Sequence, residues 1–113
     1  MEIHERVVGN VTVLDLEGRL VLGEGDRLLR DEVDSVVRQG RTLLVLNLAA
    51  VSHVDSAGLG QIVRTHTTLT RHGGRLRLLR ADKRTRDLLS ITKLITVFEL
   101  FDDEPAAVTN FSP

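Results

Sequence analysis

Residues 43–48, Leu-Leu-Val-Leu-Asn-Leu, constrain this chain more than any other segment. The run is too short for a buried helix and lacks the alternation of a strand with one wet face, so it reads as a central strand covered on both sides. Its flanks agree. Residues 26–39 place Leu29, Val33, Val36 and Val37 on one helical stripe, with Arg30, Asp31, Asp34 and Arg38 opposite. Asp26 is the expected N-cap of that helix and Gly40 its C-terminal stop. Residues 57–72 form a second amphipathic pattern, with Leu59, Ile62, Val63, His66 and Leu69 on one side, ended by Gly73-Gly74. A strand between two helices demands parallel neighbours and right-handed crossovers.

The remaining segments extend this pattern. Residues 3–8 and 11–16 read as an opening hairpin turned at Gly9-Asn10, and 19–22 as a further short strand between Gly18 and Gly23. Residues 51–55 read as a short connection. Residues 75–79 alternate Arg and Leu, the mark of a half-exposed strand. Asp82 caps a third helix through about Ser90, anchored by Leu88 and Leu89. Residues 95–101 form a last strand or turn. Asp102-Asp103-Glu104-Pro105 opens a final helix, with acids at the positive dipole end, and Ala107 and Phe111 are its inner contacts. The expected fold is one α/β domain over 1–113, a mixed β-sheet with about four α-helices.

Composition narrows the function. The 113 residues suffice for one domain with a real core. A net charge of −1 gives no global attraction to nucleic acid or anionic membrane. The layout is uneven: residues 64–93 hold 9 basic and 2 acidic side chains, and the flanking segments are acidic. Such runs are usually solvated outer faces, although a basic middle also suits an acidic partner. There are no cysteines, hence no disulfides and no Cys metal ligands. The start is too acidic for a signal peptide, and no stretch approaches the ~18 apolar residues of a membrane span.

Catalytic and ligand-binding patterns fail on inspection. Gly23-Glu24-Gly25-Asp26 puts two acids where a phosphate would bind, and no Gly-Lys-Ser/Thr follows. His66 and His72 are six apart, on different helix faces, with no acid at ligand spacing; no metal site is expected. Ser56 lies on a strand-to-helix turn, but position 54 is Val where a hydrolase elbow needs Gly, and no His and acid pair stands out as partners. Asp31 and Asp34 face water and suit solubility. No enzyme activity and no cofactor are expected.

Val54-Asp55-Ser56-Ala57-Gly58-Leu59-Gly60 stands apart. Two glycines fall in the first turns of a helix, where each costs up to ~1 kcal/mol against Ala. Either the helix packs tightly on the sheet or another molecule approaches the backbone. Asp55 and Ser56 can each cap the helix, and both are unlikely to cap at once. The spare hydroxyl would then stand at the rim of the sheet, where phosphate gains from the helix dipole and adds about −1.5 to −2 charges beside Asp55.

Asp55-Ser56-Ala57-Gly58-Leu59-Gly60, between an apolar strand and an amphipathic helix, resembles the Asp-Ser-Ser/Thr/Ala-Gly-Leu-Gly signature of STAS domains, the anti-sigma factor antagonist family. Gly73-Gly74, the Leu-rich strand after it and the Leu88-Leu89 to Thr92-Lys93-Leu94 stretch also fall where that family has them, so the resemblance covers nearly the whole chain. It implies a cytoplasmic, non-enzymatic switch that takes part in transcription regulation. Ser56 takes the place of the phosphoacceptor. The partners implied are an anti-sigma factor with GHKL-type serine kinase activity and a phosphatase, without nucleic acid or membrane insertion. ATP belongs to the kinase. The implied docking surface is His53, Asp55, Ser56, Ala57, Gly58, Leu59 and Gly60, with the turn at 20–25 nearby. Gly18-Arg19-Leu20-Val21 departs from the Gly-Glu-Leu-Asp of many antagonists, so Val21 replaces an Asp that helps kinase contact. The alternative the family offers is a structural or regulatory subunit of a transport ATPase, or a stressosome-like scaffold, without phospho-switching.

Overall fold

The computed structural model describes residues 1–113. Its elements run β1 (Glu2–Val8), β2 (Val11–Leu20), α1 (Gly25–Arg38), β3 (Leu43–Val54), α2 (Ser56–Arg71), β4 (Arg75–Leu79), α3 (Lys83–Ile91), β5 (Glu99–Phe101) and α4 (Glu104–Val108). The strands form one sheet in chain order, β1-β2-β3-β4-β5. β1 and β2 are antiparallel; every later pair is parallel. This is the expected mixed sheet.

β3 is the central strand, and its apolar run is buried on both faces. Leu44, Leu46 and Leu48 join the main core with Leu14 and Leu16 of β2, Leu29, Val33 and Val36 of α1, Ile62 and Leu69 of α2 and Leu89 of α3. Leu43 and Val45 point the other way, into a smaller cluster with Val11, Val13, Leu79, Ala107 and Phe111. The period-two alternation of β2 and β3 thus divides their side chains between three helices on one side and α4 with the chain's last residues on the other. Gly40, at φ +79, ends α1: the Arg41 amide donates to the Val36 carbonyl and the Gly40 amide to Val37.

The structure differs from the sequence-based expectation in several places. There is no separate strand over 19–22. Gly18 does not end β2; at φ +111 it sits where the β2–β3 register shifts, and the strand continues through this bulge to Leu20. β3 extends with it, so 51–54 is strand: Val51 pairs with Gly18, His53 with Arg19 and Val54 with Leu20. Asp26 does not cap α1, which begins at Gly25 after Glu24 with no side-chain cap. Instead, the missing Cβ of Gly25 leaves room for the backbone of Arg19 and Leu20. β4 is not half-exposed, because Arg77 is buried with the leucines. Only 99–101 of the last apolar segment is strand, and Phe111 packs inward from beyond the end of α4.

Candidate functional site

The parallel strands β2 and β3 end side by side, at Leu20 and Val54, and hand over to the turn before α1 and to α2. Asp55 joins the two. Its backbone is extended (φ −100, ψ −174), one carboxylate oxygen accepts from the Gly58 amide at 2.8 Å, and the other accepts from the Leu22 amide at 3.0 Å. The first bond caps α2; the second ties down the 21–24 turn. Hydrogen bonds from the Gly58 and Leu22 amides favour the charged carboxylate, so Asp55 is held below the ordinary value of 3.8.

The choice between Asp55 and Ser56 as cap is thereby settled. Asp55 caps, and Ser56 is the first residue of α2, with an exposed side chain free of that task. The rest of the segment divides. Gly60 is exposed, and a Cβ there would meet no atom within 4 Å. Ala57 is half-buried. Gly58 is buried, and a Cβ on it would overlap the Leu20 carbonyl oxygen. Close packing of α2 on the end of β2 therefore accounts for Gly58, while nothing inside the fold accounts for Gly60. Leu59 belongs to the core. Of the expected contact residues, Ser56 and Gly60 face outward, Asp55 and Ala57 lie at the edge, and Gly58 and Leu59 support the turn from beneath.

His53 is exposed on the extension of β3. It lines a shallow cleft with Val51, Ser52 and Val54 on one side and Asp82, Arg84 and Thr85 at the head of α3 on the other. Of two further residues at this end, Leu22 entered the sequence reading only within the strand at 19–22 and the turn at 20–25, and Arg84 escaped it. Leu22 is 74% exposed beside the cap, and its signal was an apolar residue in a glycine-flanked turn. Arg84 reaches the cleft only because α3 packs beside β3, a placement with no local signature. Five of the nine cations in 64–93 are paired within the fold: Arg64 with Asp34, Arg75 and Arg77 with Glu99, Lys83 with Asp87, and Arg86 with Asp102. Arg71, Arg80, Arg84 and Lys93 have no carboxylate partner, so part of the basic charge stays open. No helix is long and apolar enough to cross a membrane.

The molecule is thus an α/β domain of the mixed-sheet class, whose central strand delivers the exposed Ser56 to the start of a capped helix. Residues 2–107 match the model of the STAS domain, and the chain belongs to that family. It is similar to the anti-sigma F factor antagonist of Paenibacillus polymyxa, 25% identical over 109 residues, which span 96% of this chain and 90% of the relative. The crystal structure of an anti-sigma factor antagonist from Mycobacterium paratuberculosis superposes with a TM-score of 0.84 at 23% identity, covering 97% of this chain and 92% of that one. The phosphorylated form of the Bacillus cell fate determinant SpoIIAA matches with a TM-score of 0.76 at 22% identity, covering 95% and 96% of the two chains.

Proposed function

We propose that this chain is an anti-sigma factor antagonist, a protein-binding switch controlled at Ser56. It binds an anti-sigma factor that is also a GHKL-type serine kinase, and does so while Ser56 is unmodified. Phosphorylation of Ser56 releases the partner, and a phosphatase resets the switch. The chain acts in the cytoplasm as a regulator rather than an enzyme. It needs no cofactor of its own, because ATP is the kinase's substrate.

The observation that carries this reading is the division of labour at the head of α2. Asp55 accepts the capping bond from Gly58, which leaves the Ser56 hydroxyl exposed with no structural duty. A phosphate there lies at the positive end of a 16-residue helix, next to a carboxylate held in its charged form. It adds about −1.5 to −2 charges to a small surface. Covering that charge unpaired at an interface costs several kcal/mol, and ~1.4 kcal/mol is already tenfold in affinity. Leu22, tied to the same carboxylate, gives the face an apolar contact beside Val21, where many antagonists carry an acid. The names of the similar proteins support the same reading.

Incubation with the cognate kinase and ATP, followed by intact-mass and fragment analysis, tests it. One phosphate on Ser56 is expected. Phosphate on Ser52, Thr65 or Ser90 with Ser56 untouched would contradict it. Thr65 is fully buried, and its hydroxyl donates to the Gln61 carbonyl at 2.7 Å, so it is closed to a kinase in the folded chain.

A further inference from the structure

Read along the chain, the four histidines offered no ligand set. The opening hairpin changes this by bringing Glu17 back to the start of the chain. The β1–β2 register sets Glu2 opposite Glu17 and His4 opposite Asp15. Glu2 and His4 are two residues apart on one strand and so project from the same face. The His4 Nε2 lies 3.4 Å from a Glu2 carboxylate oxygen and 4.0 Å from one of Glu17. One donor atom from each of the three residues lies within 4.8 Å of the others.

These separations can be compared with what a metal requires. Ligands about 2.0–2.1 Å from a tetrahedral zinc ion stand roughly 3.3–3.5 Å from one another. The His4–Glu2 distance of 3.4 Å already meets that figure, and the Glu17 carboxylate, 4.0 Å from His4 and within 4.8 Å of both partners, must move inward, which an exposed side chain does by a change of rotamer. The two glutamates are also a like-charge pair directly opposed across antiparallel strands, an unfavourable arrangement. Neither carboxylate has an Arg or Lys partner. Arg6, the next cation on this face, is already engaged by Asp15 and Glu104. The hairpin therefore carries two carboxylates and an imidazole with no Arg or Lys paired to them.

We propose that Glu2, His4 and Glu17 bind a divalent transition-metal ion of the zinc class, with water in the fourth position. The imidazole nitrogen sets the class, because Mg²⁺ and Ca²⁺ take oxygen ligands. The ion would clip β1, an edge strand with β2 as its one strand neighbour, to the strand that leads through the Gly18 bulge to Leu20. This site is separate from Ser56, and the proposal does not depend on the switch.

Titration of the full chain with zinc sulfate in a non-chelating buffer tests it, by calorimetry and by thermal unfolding. Saturable one-to-one binding and a raised unfolding midpoint are expected, with no response to magnesium. His4→Ala and Glu17→Gln alter exposed side chains, so both variants should fold as wild type while binding zinc at least ~10-fold more weakly. A plain ion pair between His4 and the glutamates gives no zinc response. Absence of saturable binding to wild type overturns the proposal. So does equal binding by His4→Ala, which would place the ion on His53, His66 or His72.

Discussion

Arg77, on β4, and Ser56, at the rim of the sheet, are both polar, and the fold treats them in opposite ways. The Arg77 side chain is only 7% exposed, and its guanidinium donates to the carbonyls of Ala107 (3.0 Å), Thr109 (2.9 Å) and Asn110 (3.2 Å) and to Glu99 (3.3 Å). It also lies 4.8 Å from the ring centroid of Phe101 and 4.2 Å from that of Phe111. Planar, always charged and rich in donors, arginine is the side chain suited to gathering carbonyls and aromatic faces in this way. Ser56 is exposed and leaves the capping bond to its neighbour. A polar group whose bonds are all used inside the chain holds the fold; one kept free at the rim is available to another molecule.

Substitutions can break this contrast. The largest effect is expected at Arg77→Ala, which strands three carbonyls and opens a gap between two phenylalanines. It should lower stability by about 3 kcal/mol in urea unfolding and leave the Ser56 face intact. A loss below about 1 kcal/mol would show that the C-terminal segment holds itself in place.

The glycines sharpen the contrast within one helix. Gly58→Ala forces a Cβ into the Leu20 backbone and should destabilise by about 1–3 kcal/mol. Gly60→Ala meets open space and should stabilise α2 by up to about 1 kcal/mol, while crowding any partner that covers it. Equal stability effects at the two positions would remove the distinction drawn between them.

A smaller effect tests Asp55. Its pKa is depressed in the folded state, so its contribution is present above the ordinary value of 3.8 and is lost as pH falls through the depressed value. Asp55→Asn cannot accept both bonds and should melt below wild type at neutral pH. That gap should close as pH drops below 3.8. A gap that persists in acid would mean that the carboxylate charge plays no part in holding the turn.

Most of the architecture was legible because it follows from local patterns. The helical stripes, the central apolar run, the cap at Asp82 and the helix start at 102–105 all appear in the structure. The misreadings have one physical source: strand ends depend on the partner strand. Gly18 resembles a stop, yet paired with an equally long β3 it becomes a bulge, and 51–54 becomes strand. Arg77 resembles a wet residue because its burial depends on carbonyls 30 or more positions away. At the site, the Asp55–Gly60 segment was visible as a motif. Its division into outward Ser56 and Gly60 and inward Gly58 and Leu59 was not, because that depends on how α2 meets Leu20.

Calorimetric titration against the purified kinase partner reads whether charge on Ser56 decides binding. Ser56→Ala should bind as tightly as wild type and stay bound when ATP is supplied. Ser56→Asp should bind at least ~10-fold more weakly while unfolding at the same temperature as wild type. Equal affinities for Ser56→Asp and wild type would contradict the account. Ser56 would then be an ordinary first residue of α2, and the domain a constitutive binding subunit.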